Sequence, residues 1–121
     1  MINVLLVVYV LFAHWVADFV CQTDWMAKNK CHDNEALGTH VGVYTLVMSA
    51  FMGVGVLIWS LPNIFIWILL NGALHGMTDY ITSRMTSKLW AQEKVHDFFV
   101  VVGADQVRHM AMLLLTLTLF V

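Results

Sequence analysis

Residues 63–87 read NIFIWILLNGALHGMTDYITSRMTS and carry the clearest fold signal in the chain. The run from Ile64 to Leu70 contains only apolar side chains, and the whole segment exceeds the roughly 20 residues that a helix needs to cross a bilayer. Its second half contains His75 and Asp79, residue types that are rare inside membrane helices because their charge is costly there. We therefore predict a membrane helix over 63–87 with an ionisable pair past its midpoint.

Similar apolar runs on both sides of this segment predict three further membrane helices, at about 2–22, 39–59 and 97–121. The chain of 121 residues is 60% hydrophobic and 12% charged, whereas soluble domains carry about 25% charged residues. This length suits one domain. The predicted fold is an all-α membrane protein, a bundle of four transmembrane helices that forms a single domain over residues 1–121.

The helices are expected to be joined by a polar loop at Thr23–Gly38, a tight turn at Leu61-Pro62-Asn63 and an amphipathic connector at Lys88–His96. Pro62 suits a helix start, where its missing N–H is not needed. One side of the bundle holds the basic residues Lys28, Lys30, Arg84, Lys88 and Lys94, and the other side holds none. The positive-inside rule then places the charged loops in the cytoplasm and both termini outside it. We expect a multi-pass membrane protein.

Seven ionisable side chains interrupt the predicted helices: His14, Asp18, His40, His75, Asp79, Asp105 and His109. Six of them form three pairs with a spacing of four residues, which places each pair on one helix face. In the predicted topology, all seven lie between the bilayer centre and the cytoplasmic surface. Because chance placement would scatter them through both leaflets, we predict that they point inward as one cluster.

These groups need a compensating charge. One ionised Asp at a helix centre costs about 2.5–3.5 kcal/mol on insertion scales, so three would cost roughly 8–10 kcal/mol, which is comparable with the stability of a whole domain. A divalent cation would supply the missing charge, and the seven residues suffice for one or two ions with a bridging carboxylate. Mixed nitrogen and oxygen ligands suit zinc, expected first, or manganese or iron. The alternative is a hydrogen-bonded network that fixes helix packing or relays protons.

Other polar residues flank the predicted ligands. Metal-bound side chains need orienting partners, and the candidates are Gln22, Asn71, Thr78, Thr82, Ser83 and Gln106. Lys28, Lys30, Arg84, Lys88 and Arg108 are placed to meet either an anionic substrate or lipid headgroups. His32 and His96 lie in or beside polar loops and are expected to be solvated. Gly72 and Gly76 form a small-x3-small pair typical of close helix packing.

The ordered motifs His14-x3-Asp18-Phe19-x2-Gln22, His40, His75-x3-Asp79 and Asp105-Gln106-x2-His109, with a Lys at 28 or 30, resemble an uncharacterised family. Its members are small inner-membrane proteins of bacteria and phages, and the resemblance covers nearly the whole chain. That family often has a Lys after its second His-x3-Asp, where this chain has Ser83 and Arg84. The His-x3-Asp helix is also similar, more distantly, to membrane-bound metal-dependent hydrolases, and this similarity implies hydrolysis.

The expected function is therefore a membrane-embedded metal-dependent hydrolase that acts on a lipid or phosphoester substrate from the cytoplasmic side. Asp18 and Asp79 are the candidate catalytic residues, each either as a general base or as a ligand. Its expected partners are the bilayer, that substrate and a second copy of the chain. Nucleic acid is not expected, because no basic run is long enough.

Three alternatives remain at this point. A divalent-cation transporter would also use His-x3-Asp pairs, but four helices would require a dimer. The outer halves of the helices are almost uniformly apolar and offer no polar exit path beyond Thr116 and Thr118. A non-catalytic phage-type membrane protein, for instance in superinfection exclusion, would hold a structural metal. Di-iron membrane oxidases prefer several His-x3-His pairs, which this chain lacks.

Overall fold

The computed structural model describes residues 3–54 and 60–120, and within these ranges the chain is helical without any strand. The first helix, α1, spans Val4–Trp15 and continues as a π-helical turn over Val16–Val20. It is followed by α2 (Asp24–Asn29), α3 (Asn34–Met52), α4 (Leu61–Ala91) and α5 (Val95–Leu117). The predicted all-α class is confirmed. Position 2 of the first predicted helix, positions 55–59 of the second and position 121 of the last lie outside the described residues.

The prediction of one polar loop over Thr23–Gly38 is wrong, because two side chains in it begin helices. The Thr23 side chain accepts a hydrogen bond from the backbone N–H of Met26 at the start of α2. The Asp33 side chain likewise accepts one from Glu35 at the start of α3. Such caps satisfy N–H groups that a helix start leaves free. As a result, α3 begins at Asn34, earlier than the predicted start at about residue 39.

The fourth helix is longer at both ends than predicted. It begins at Leu61, so the expected tight turn is its first turn, and Pro62 lies there as its missing N–H allows. At the other end it continues through half of the predicted connector to Ala91. The chain then reverses at Glu93, whose φ of 58° lies in the left-handed region.

An apolar core fills the end of the bundle where α1 begins and α5 ends. It contains Val10, Ala13, Ala17, Tyr44, Met48, Met52, Ile64, Trp67, Ile68, Leu113 and Leu117. On each helix the predicted His and Asp ligands lie within one or two turns of these residues, towards the opposite end of the bundle. The bundle therefore has an apolar half and a polar half.

Two glycines allow α3 and α4 to pack closely. A Cβ atom on Gly72 would lie 2.5 Å from Thr45 Oγ1, and one on Gly76 would lie 3.1 Å from Val41 Cγ2. The packing role expected of this small-x3-small pair is therefore confirmed. This close approach matters for the site, because His40 on α3 and His75 on α4 are next in sequence to Val41 and Gly76 and lie in the same interface.

The helices α4 and α5 are long and apolar enough to cross a membrane, and the apolar segment Val4–Val20 is shorter. That α1 and α3 also cross stays a prediction. Large apolar side chains are exposed along the outer surface, among them Val4, Leu5, Val8, Leu46, Phe65, Ile66, Leu69, Leu115 and Leu119. A surface of this kind normally contacts another apolar phase.

Replacing Gly72 by Ala should lower the free energy of unfolding by about 1–3 kcal/mol, the usual cost of overpacking. The new Cβ would displace Thr45 Oγ1, which donates a hydrogen bond to the Val41 carbonyl. Denaturation of the detergent-solubilised protein, followed by circular dichroism, measures this loss. Gly42→Ala is the control, since nothing lies within 4 Å of its Cβ position.

The double variant Gly72→Ala, Thr45→Ala should recover much of the lost stability, because it removes the displaced hydroxyl. An unchanged melting curve for the Gly72→Ala single variant would show that α3 and α4 do not approach this closely.

Candidate metal centre

Four ligand atoms from three segments converge between the helices. Asp18 comes from the π-helical turn, His40 from the second turn of α3, and His75 and Asp79 from one face of α4. Each residue offers one nitrogen or oxygen atom, and these four atoms lie within 4.8 Å of one another. All four side chains are buried. A His/Asp cluster that could hold a metal ion is therefore present where the sequence predicts one.

The distances between these atoms fit a tetrahedral metal site. His40 Nε2 lies 3.1 Å from Asp18 Oδ1 and 3.2 Å from Asp79 Oδ2. His75 Nε2 lies 3.5 Å and 3.7 Å from the same two oxygens, and the two Nε2 atoms are 3.1 Å apart. Metal–ligand bonds of about 2.0–2.1 Å in tetrahedral geometry place the ligand atoms about 3.3–3.4 Å apart. These five separations, from 3.1 to 3.7 Å, lie close to the edge lengths of a tetrahedral site for a zinc-sized ion.

The protonation of the facing imidazoles decides what holds them together. When one of the two Nε2 atoms carries a proton and the other does not, the 3.1 Å between them fits an N–H···N hydrogen bond. When neither carries one, their lone pairs face each other and the carboxylate oxygens. A cation accepts all four lone pairs at once, and metal ligation takes the neutral imidazole and the ionised carboxylate.

A second group adjoins the first and shares one residue with it. His109 Nε2 lies 3.0 Å from Asp79 Oδ1 and 3.3 Å from Asp105 Oδ2, and these three residues also offer atoms within 4.8 Å of one another. Asp79 therefore turns Oδ2 to the first group and Oδ1 to the second. If both groups held an ion, Asp79 would be the residue placed to bridge them.

His14 lies beside both groups and belongs to neither of them. Its Nε2 is 3.7 Å from Asp18 Oδ2 and 3.2 Å from Gln106 Oε1. Its Nδ1 lies 3.2 Å from the hydroxyl of Tyr44. Six of the seven predicted ligands thus form the two groups, and the seventh hydrogen-bonds with the residues around them.

The predicted orienting partners reach the carboxylates in two cases. Gln106 Nε2 donates to Asp18 Oδ2 at 3.2 Å and to Asp105 Oδ2 at 3.0 Å. The hydroxyl of Thr82 donates to Asp105 Oδ1 at 2.6 Å. Asn71 lies away from the site and donates instead to the hydroxyl of Thr116 in the apolar half.

Sequence reasoning missed Tyr44. Its ring stacks on the His75 imidazole with centroids 3.8 Å apart and an interplanar angle of 1°. This contact and the hydrogen bond to His14 fix both rings. The sequence could have indicated that Tyr44 lies at the site, because it follows His40 by four residues and so shares its helix face.

Lys30 is the loop cation that reaches the site. Its Nζ lies 2.7 Å from Asp79 Oδ2, and 18% of its side chain is exposed. The family motif left open whether Lys28 or Lys30 has this place. Arg108 forms no salt bridge within the described part of the chain and donates to the hydroxyl of Thr78 at 3.0 Å.

A cavity of about 590 Å³ opens above the two groups. Its floor is polar and contains Asp18, Asp79, Asp105 and Gln106, with Lys28 and Lys30 on one side. Its outer wall is largely apolar and contains Phe19, Trp90, Phe98, Phe99 and Val102. The candidate ligands are therefore accessible from the end of the bundle opposite the apolar core.

A family model described as a protein of unknown function (DUF3307) matches residues 6–121, and the chain belongs to this family. The predicted membership of an uncharacterised family is thus confirmed. No curated protein and no solved structure matches the chain.

Purified protein should carry about one or two equivalents of zinc, manganese or iron, and His75→Ala and Asp79→Ala should lose them. Removing one ligand of a buried metal leaves too few donors to compensate its dehydration. Elemental mass spectrometry of detergent-purified protein measures the content. The control is His32→Ala, since His32 is exposed. Wild type that stays metal-free after incubation with all three ions would leave a hydrogen-bonded network as the explanation of the cluster.

Lys30→Met should raise zinc affinity by about tenfold, or about 1.4 kcal/mol, and should destabilise the metal-free protein. The Lys30 ammonium competes with a cation for Asp79 Oδ2 and repels it, yet it also compensates that carboxylate when no metal is bound. Competition with a fluorescent zinc chelator measures the affinity. Lys28→Met removes the same charge from the cavity wall and should change neither quantity strongly. Weaker zinc binding by Lys30→Met would contradict this competition.

Proposed function

We propose that this protein is a membrane-embedded metal-dependent hydrolase that acts on a lipid or phosphoester substrate from the cytoplasmic side. The observation that carries the proposal is the pair of ligand groups joined by Asp79 at the floor of an open cavity. A metal bound there would polarise the scissile oxygen and lower the pKa of a water from 15.7 towards about 7. Zinc is the first candidate from its preference for mixed nitrogen and oxygen ligands, and manganese or iron would suit the same donors.

The two candidate catalytic carboxylates have different surroundings. Both oxygens of Asp79 face ligand atoms, Oδ1 towards His109 and Oδ2 towards His40, which suits a bridging ligand. Asp18 turns Oδ1 to the imidazoles and Oδ2 towards Gln106, and it lines the cavity. We therefore assign the role of general base to Asp18 in place of a ligand role, with Gln106 holding the carboxylate in position. An ion at the first group would then be held by His40, His75 and Asp79, and its fourth position would be left to water.

The proposed membrane placement has all four long helices crossing the bacterial inner membrane, with both termini outside the cytoplasm. The exposed apolar side chains of the outer half support contact with lipid. Lys28 and Lys30, which line the cavity, support a cytoplasmic opening, because basic residues accumulate on that side. The apolar wall of the cavity supports a substrate that enters from the lipid phase.

The transporter alternative receives no support from the apolar half of the bundle. A cation that left the cluster on the outer side would have to pass Val10, Met48, Trp67 and Leu113, all of which are buried. The hydroxyl of Thr116 already accepts a hydrogen bond from Asn71 and donates one to its own helix. The polar cavity lies at the other end of the bundle, beside the ligand groups.

Metal-loaded protein should hydrolyse at least one substrate in a panel of ester and phosphoester lipids and soluble phosphoesters, and a chelator should abolish this activity. Asp18→Asn should lower kcat by about 10²–10⁴-fold, the usual contribution of a general base, and metal content measured in parallel separates this effect from loss of the ion. His32→Ala should retain full activity.

Metal-bound wild type that hydrolyses nothing in the panel would remove the enzyme proposal. The cluster would then be a structural metal site in a non-catalytic protein, as expected for the phage-type alternative.

A further inference from the structure

Two polar atoms in the cavity wall lack a partner. Gln22 Oε1 and Ser83 Oγ are inaccessible to solvent and have no hydrogen-bond partner within the described chain, and both residues line the cavity. Buried polar atoms are nearly always paired, because an unpaired one loses its bonds to water without replacement. Gln22 belongs to the segment after the π-helical turn, and Ser83 to the turn of α4 after Asp79. A ligand in the cavity would satisfy both atoms once their side chains turn towards it.

The chemistry of the two atoms restricts that ligand. The Gln22 carbonyl oxygen accepts only, so the ligand must offer an O–H or N–H group to it. The Ser83 hydroxyl can donate to an anionic oxygen. Further hydroxyl groups continue along the same wall of α4 at Thr86 and Ser87. A phosphate monoester that retains a P–O–H group meets both requirements.

The charges at the cavity floor favour the same ligand. Lys30 Nζ contacts the Asp79 oxygen that also belongs to the first ligand group. A metal ion at that group would occupy this oxygen and leave the ammonium available to an anion. Lys28 lines the same cavity and adds a second positive charge. Phosphate oxygens would thus meet the ammonium groups of Lys28 and Lys30 and the hydroxyl of Ser83 in the same cavity.

The upper wall is suited to a hydrocarbon chain. Trp90 and Phe98 pack with ring centroids 5.1 Å apart, and Phe98 and Phe99 with centroids 5.2 Å apart. All three rings line the cavity above the hydroxyl groups. The cavity is therefore polar where the ligand groups lie and apolar towards its mouth, which is the division found in an amphiphile.

We propose that the cavity binds a lipid phosphate, with its phosphate monoester head between Gln22 and Ser83 and its chain against Trp90 and Phe98. The proposal rests on the proposed hydrolase function and names its substrate class. It can be tested separately, because binding does not require turnover.

The test is calorimetric titration of zinc-loaded protein in detergent with three probes. These are a short-chain diether phosphonic-acid analogue of phosphatidic acid, which resists hydrolysis, the matching phosphocholine diether, and inorganic phosphate. The phosphonic acid should bind at least tenfold more tightly than either other probe. Equal binding of inorganic phosphate would overturn the lipid assignment, and equal binding of the phosphocholine would overturn the monoester assignment.

Two variants test the proposed contacts. Ser83→Ala and Gln22→Leu should each weaken phosphonate binding by about fivefold, as expected for loss of one hydrogen bond. Each should leave the ligand-free protein as stable as wild type or more stable, because it removes an unpaired buried atom. Ser49→Ala is the control, since Ser49 Oγ donates to the Thr45 carbonyl and does not line the cavity. Unchanged phosphonate binding in both variants would overturn the proposed head position.

The two proposals fail in different ways. Phosphonate binding that depends on Ser83 and Gln22, in a protein that hydrolyses nothing, would keep the binding site and remove the enzyme. Hydrolysis of another substrate, by a protein that binds the phosphonic acid no more tightly than the other two probes, would keep the enzyme and remove this substrate class.

Discussion

Two buried carboxylates, Asp18 and Asp79, lie between helices whose other contacts are mostly apolar, and they are the constraint on which the rest of the bundle depends. Each would be costly to bury alone, because an unpaired charge loses its hydration. The chain surrounds them with imidazoles from four helices, one ammonium group and one amide. These contacts bring α1, α3, α4, α5 and the segment after α2 together at one place in the bundle.

Asp79 connects the two halves of the site, since its oxygens face different ligand groups. His40 and Lys30 both approach Oδ2, one from α3 and the other from the loop. Lys30 and a bound metal would therefore compete for the same oxygen. Metal binding would displace the Lys30 ammonium from Asp79, and the displaced ammonium would then be available to an anionic substrate in the cavity.

The sequence predicts the helical class and the inward cluster well, because both arise from regular spacing. His75 and Asp79 share a helix face by their spacing alone, and Gly72 predicts the close approach of α3. Boundaries depended on single capping side chains, so Thr23 and Asp33 began helices where composition indicated a loop. The contacts of Tyr44 and His14 depend on how helices rotate against each other, which spacing within one helix does not determine. Four membrane crossings remain a prediction from composition.

The apolar core fills the half of the bundle beyond the ligand groups, and the cavity lies at the other end, lined by Lys30 and by aromatic side chains. If the proposed hydrolase acts there, its products would leave along the path by which the substrate arrives. For a cleaved lipid, the water-soluble fragment lies deeper than the chain and would be held behind it. The chain must then leave first or move aside into the bilayer, and the order of release would become part of the kinetics.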